Sequence, residues 1–327
     1  MTDKLFAQTK PQCIGRYLFE VPASFTNILA DRVQVNDVRI ASKRLYRPAF
    51  EQRIRLREQE LGKKNTVNIR DQPFLKQVYR INDNTVIFDR NENESVTGSK
   101  RILEGHLYRG GVAFTLYSEF LDHSDPKYLD KKNMLINAGL SESKINTKAN
   151  QLAEMKSLLS RINGRVDDEV PTQAGICIPN GFISDGNVRE KEEVALLYGQ
   201  GDFFLSVRSD NTHPKESGLL ERSNEINAVA IRVGAHTLQK GAVILPGIDA
   251  EEWLLKGKQE VYQPEDKTVA SYKFVLYGNE KIVDNKHPLF SVQLHNSGFE
   301  NKNYTDSQLV DIWERITRTF RYRPNAF

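Results

Sequence analysis

Cysteine is almost absent from this chain, with two in 327 residues, Cys13 and Cys177. Two cysteines so far apart make neither a zinc site nor a thioredoxin-type motif, both of which need closely spaced ligands. No apolar run approaches the roughly 20 residues that span a bilayer. Met1 to Gln12 lacks the hydrophobic stretch of a secretory signal, and no such stretch precedes Cys13 as it would at a lipoprotein acylation site. The chain is therefore expected either to stay in the cytoplasm or to be the mature form of an exported protein. Catalytic signatures are missing as well. There is no Gly-x-Ser-x-Gly elbow. The six histidines, His106, His123, His213, His236, His287 and His295, show no metal-ligand spacing. Gly110-Gly111 and Gly199-Gln200-Gly201 sit where hairpin turns belong and precede no helix, so neither cradles phosphate. Paired carboxylates such as Asp167-Asp168 and Glu251-Glu252 read as solvated surface. No catalytic residue, cofactor or metal ligand is assigned, and dense basic clusters with interleaved aromatics, the mark of a nucleic-acid partner, are missing.

What remains is a folded, charged protein. Hydrophobic residues make up 39% and charged residues 27%, a globular balance, and the length favours two domains over one core. The net charge of +3 is uneven: residues 1–166 carry +9 and residues 167–327 carry −6. A basic half beside an acidic half gives a two-signed surface for a partner, or ordinary solvated surface.

Hydrophobic spacing outlines the elements. Tyr17 to Val21 reads as a strand stopped by Pro22, and Val33 to Ile40 as another short strand or a hairpin around Asn36-Asp37. Pro48 to Lys64 reads as a helix with Phe50, Ile54 and Leu61 on one face. Two strand pairs follow, 74–81 with 85–88 and 101–108 with 112–120, and then a helix over 147–163 with Leu152, Met155, Leu158, Leu159 and Ile162 inward. The acidic stretch 164–172 is a linker. Beyond it, 194–198 and 203–207 form a hairpin and 217–227 a helix. Residues 229–233 and 242–245 are read as strands and 249–253 as the start of a helical turn. Residues 271–277 and 289–294 are strands, and an amphipathic helix over 305–320 closes the chain. The expected fold class is α+β, with two similar domains, 1–166 and 167–327, each an antiparallel sheet with packed helices. Each half opens on a cysteine beside a glycine. The cysteines have two readings: a disulfide in an oxidising compartment, or buried free thiols in the cytoplasm.

These opening phrases carry a resemblance. Cys13-x-Gly15-Arg16-Tyr17 leading to Pro22 resembles the start of the immunity proteins that neutralise phospholipase effectors of the bacterial type VI secretion system. Cys177 to Ile183 resembles the start of that family's C-terminal domain, and Arg321 to Phe327 its closing segment. Gly241 to Gly247, running up to Glu251 and Glu252, matches more loosely. The resemblance implies an inhibitor rather than an enzyme. Such a protein binds its cognate lipase one-to-one in the periplasm, close to the membrane, and blocks the active site or its lid with two domains arranged as a clamp. A periplasmic member should carry an export signal, which this chain lacks unless it is the mature form. Anchors for such a grip belong on hairpin tips and loops. The candidates are Tyr108 and Arg109, then Asp202 with Phe203 and Phe204, then Trp253 and Tyr262. Of these the Phe203-Phe204 pair is favoured, because neighbouring strand residues point to opposite faces and one core cannot bury both. An adaptor that binds without inhibiting, an enzyme with an unrecognised site, and a peripheral membrane protein using the basic half are the alternatives.

Overall fold

The structure is a computed structural model that describes residues 2–28, 31–262 and 266–327. The chain forms two compact units that do not follow its linear halves. A meander unit comprises residues 34–165 and 180–186, and a clasp unit comprises residues 1–33, 166–179 and 187–327.

The meander unit is built on five antiparallel strands in the spatial order Val38–Arg44, Val112–Leu121, Lys100–Arg109, Thr85–Asn91, Leu75–Asn82. Its tight turns fall where the turn residues put them. Gly110 and Gly111 take φ of +59° and +74°, a left-handed pair that glycine adopts without a Cβ clash. One face of the sheet is covered by the helix Arg47–Lys63, which starts with Pro48 in its first turn. That helix buries Phe50, Ile54 and Leu61 against Phe74, Val86, Phe88 and Ala113. The helix Lys148–Arg161 covers the opposite face with Met155, Leu158 and Leu159. It comes so close that a Cβ on Gly105 would lie 2.8 Å from the Met155 sulfur. The strand alternation thus sends Glu104 and His106 toward one helix and Gly105 toward the other.

The clasp unit carries its own run of antiparallel strands, in the order His236–Leu245, Ile248–Val261, Lys267–Gly278, Leu289–His295, Phe203–Asp210, Glu192–Gln200. Its closing helix Asp306–Thr317 starts with a capping box, Thr305 and Gln308 each bonding the other's backbone N–H. It buries Leu309, Ile312, Trp313 and Ile316. Two stretches depart from the sequence expectation. Residues 229–233, read as a strand, lie almost wholly in the helix Ser223–Arg232, which also begins later than the 217–227 helix expected. The spacing of Ile226, Val229, Ala230 and Val233 is helical, but the β-branched residues masked it. Residues 249–253, read as a helical turn, open the strand Ile248–Val261. Leu245 pairs with Ile248 across Pro246 and Gly247, with Gly247 at φ +71°, so the two residues between make a hairpin turn.

The two cysteine phrases do not head separate units. Gly15 and Cys177 exchange both backbone hydrogen bonds, at 2.9 and 2.8 Å, and Cys13 is disulfide-bonded to Cys177 with their Cα atoms 5.6 Å apart. Beside them Thr9–Ile14, Tyr17–Pro22 and Arg321–Tyr322 make a small sheet. Arg16 bonds Glu192 through Nε at 3.1 Å and Nη2 at 2.5 Å, and Nη1 donates to the Ala326 carbonyl. Arg323 donates to the carbonyls of Pro171 at 2.7 Å and Gly175 at 2.9 Å. The beginning, middle and end of the chain are therefore locked together inside one unit.

Candidate functional site

The residues singled out from the sequence do not converge on one site. Phe203 and Trp253 are core residues, 1% and 0% exposed. Phe203 packs against Phe25 and Tyr304, with ring centroids 5.7 and 6.0 Å away. Trp253 donates its indole N–H to Thr237 Oγ1 at 2.9 Å and lies under the Lys240 ammonium. Asp202 is also buried, accepting from the Lys302 backbone N–H and from Asn303. A side chain already enclosed by its own chain has no surface left for a partner, so these three are structural.

Phe204 points the other way. It is half-buried, against Phe299 at 5.2 Å and His295 at 5.5 Å. Tyr262 is 68% exposed and donates to Glu260 at 2.7 Å. In the meander unit Tyr108 packs against Phe50, the rings tilted and their centroids 5.3 Å apart. Arg109 donates to the carbonyls of Ser160 and Ile162, so its guanidinium satisfies the end of the Lys148–Arg161 helix.

Several concave surfaces escaped the sequence reading, among them a groove in each unit. In the clasp unit, the helix Ser223–Arg232 and the sheet enclose a groove of about 490 Å³ lined by Ile226, Val229, Leu255, Val275 and Tyr277 among others. Val229, Ile231 and Val233 remain 54%, 77% and 62% exposed along this helix. In the meander unit a groove of about 650 Å³ runs beside the helix Arg47–Lys63, with Gln52, Arg53, Leu56, Arg57 and Glu60 on its wall and Glu104, His106 and Tyr117 on its floor.

The meander groove is built on a buried charge network. Glu104 is 1% exposed and accepts from Arg57 Nε and Nη2, each at 2.8 Å, and from Arg90 Nε at 2.7 Å. His106 Nε2 stands 3.0 Å from its other oxygen. Burial alone would raise the Glu104 pKa, but the hydrogen bonds from Arg57 and His106 and the charge of Arg90 outweigh it. Its carboxyl is held far below the usual range. Arg57 is itself pushed upward, first by its bonds to Glu104. Such a network is satisfied rather than poised, and it offers no free base for proton transfer. His123 Nδ1 is within 2.9 Å of the Ile145 carbonyl and is likewise held by backbone. Among the described residues no group of three or more His, Cys, Asp or Glu is placed to hold a metal.

Comparison with known proteins gives a consistent answer. No curated protein matches the chain. Among the solved structures that match, three share its fold over nearly the whole length. The apo immunity protein TplEi of the type VI secretion system of Pseudomonas aeruginosa is 17% identical, with a TM-score of 0.74 over 99% of both chains. The Tle4–Tli4 complex matches at 16% identity and a TM-score of 0.72, covering 97% of this chain and 98% of that one. TplEi complexed with an "L" peptide matches at 17% and 0.67 over the same shares. At that identity these likenesses speak for the fold. The family models decide membership: the N-terminal domain of Tle cognate immunity protein 4 matches residues 10–165, and its C-terminal domain matches residues 169–325. The chain belongs to the Tle cognate immunity protein 4 family, the two-domain immunity proteins of type VI secretion.

Proposed function

We propose that this protein binds the phospholipase effector encoded beside it and inhibits it, covering the entrance to the active site or the lid above it. The protein acts in the periplasm and catalyses no reaction of its own. The observation that carries this reading is the match of both family domains, end to end, to the two halves of the chain. The likeness to the immunity protein of the Tle4–Tli4 complex supports a protein partner. The family boundaries favour residues 1–166 and 167–327 as the two domains, gripping the effector as a clamp. Phe204, Tyr262, Tyr108 and Arg109 keep accessible surface and stay as anchors, with the buried Asp202, Phe203 and Trp253 holding the frame.

The test is titration of the protein into a lipase assay containing the neighbouring effector. Complete inhibition near one-to-one stoichiometry is expected. Binding that leaves turnover intact would make the protein an adaptor instead, and absence of binding in both oxidised and reduced preparations would overturn the reading.

A further inference from the structure

The groove beside the Arg47–Lys63 helix has spent only part of its positive charge. Arg53 and Arg57 lie one helical turn apart, on the same face. Arg57 is fully committed, to Glu104 below it and to Glu60 through Nη1 at 2.8 Å. Arg53 has no ion-pair partner among the described residues, and it is exposed. Facing it on the floor is Tyr117, which pairs in register with Glu104 and therefore shares its face. The Tyr117 hydroxyl has no hydrogen-bond partner among the described residues; burial and then the Glu104 charge raise its phenol pKa, which the charges of Arg57, Arg90 and Arg53 offset only in part. One strand further out, Lys43 stands opposite Ala113, whose side chain belongs to the core under this same helix. Lys43 too lacks an ion-pair partner among the described residues. The carboxylates of the groove are both taken: Glu104 by two arginines and a histidine, Glu60 by Arg57.

We propose that this groove receives an acidic segment of the partner protein, with one carboxylate seated between the Arg53 guanidinium and the Tyr117 hydroxyl. Lys43 meets a second negative charge of the segment. Leu56, 54% exposed on the same wall, takes an apolar side chain beside the carboxylate. The chemistry is selective: the fixed Arg57–Glu104–Arg90 network keeps the floor rigid, and the donors left free match an anion and reject a cation. The inference rests on the immunity reading in taking the effector as the source of the segment.

Three variants of the full chain test it: Arg53→Glu, Tyr117→Phe and, as a charge-matched control elsewhere in the meander unit, Lys131→Glu. Circular dichroism checks that each folds, and calorimetric titration against the effector reads affinity. Arg53→Glu is expected to weaken binding about tenfold or more, Tyr117→Phe a few-fold, and Lys131→Glu not at all. A folded Arg53→Glu variant with wild-type affinity would overturn the proposal. If the wild-type protein binds no effector, the immunity reading fails by itself, and a second measurement decides the groove. In it, a synthetic glutamate-rich peptide is titrated while amide resonances are followed. Saturable shifts confined to residues around Arg53 and Tyr117, and lost in Arg53→Glu, sustain it. Shifts elsewhere, or none, refute it.

Discussion

Each unit of this protein buries ion networks, and the one around Arg16 and the one around Glu104 are opposites in construction. In the clasp unit a cation gathers acceptors: Arg16 holds Glu192, 176 positions away, and the carbonyl of Ala326, 310 positions away. In the meander unit an anion gathers donors: Glu104 holds Arg57, Arg90 and His106, at most 47 positions away. The first network closes the chain on itself and is enclosed, with side chains 7% and 11% exposed. The second lies within one sheet and helix and floors a groove open to solvent. Long-range closure is a requirement of the fold, so the residues that perform it are the ones that make the family recognisable. Resemblance therefore located the clasp, while the surface that meets the effector has to be sought where no family phrase lies.

The largest effect should come from breaking the clasp. Arg16→Ala leaves Glu192 buried without its guanidinium, a loss of about 4 kcal/mol in unfolding free energy. Glu192→Gln strands the buried Arg16 charge and should also destabilise, but somewhat less, because the amide oxygen still accepts one of the arginine's hydrogen bonds. Urea denaturation reads both. A change under about 1 kcal/mol for Arg16→Ala would mean that water replaces the arginine, and the clasp would then be no different from a surface pair.

Breaking the meander network should cost less at neutral pH and change the response to acid. In Glu104→Gln the half-exposed Arg57 can swing toward water, but Arg90 cannot, so a loss of about 3 kcal/mol is expected. The sign of the pH effect follows from the depressed pKa of Glu104 in the folded state. The folded protein holds the carboxylate ionised where the unfolded chain would bind a proton. The contribution is complete above the unfolded value of about 4.3 and is lost as pH falls through that value toward the folded pKa. Wild type should therefore lose stability steeply below about pH 4, and Glu104→Gln should be flatter over the same interval. Parallel acid limbs in the two proteins would show that the network does not hold the charge in the way its geometry implies.

Much of the fold could be read from spacing alone, and the exceptions share a cause. Phe50, Ile54 and Leu61 sit at helical intervals and are the three buried residues of their helix. Asn82 to Asn84 and Gly110-Gly111 supply turn chemistry, and the strands flanking them pair as expected. Where reading failed, propensity and period disagreed. Ile226, Val229 and Val233 are β-branched residues at helical spacing, and the helical period prevailed over strand propensity. The Glu251-Glu252-Trp253 run looks helical but lies in a strand whose register is set by the Pro246-Gly247 turn. The candidate anchors fared worse, since an aromatic at a strand end has the same local pattern whether a later segment covers it or not. Asp202 and Phe203 are covered by the stretch around Lys302 to Tyr304, about a hundred positions downstream. No local rule foresees that.

The smallest and most discriminating effect concerns the neighbouring phenylalanines of that hairpin. Phe203 is inside, and Phe204 lies on the opposite face against Phe299 and His295. Phe203→Ala opens a cavity among Phe25 and Tyr304 and should cost about 3 kcal/mol or more of stability. Phe204→Ala removes a side chain that keeps one side toward solvent, so its stability cost should stay near 1 kcal/mol. If Phe204 is an anchor, its removal should weaken effector binding by a further 1 to 2 kcal/mol, roughly five- to thirtyfold, in a protein that melts almost as wild type does. Thermal melts and binding titrations on the same two variants separate these effects. A Phe204→Ala variant that binds with full affinity would place the face of the clasp sheet carrying Phe204 outside the interface and leave the meander groove as the surface to map.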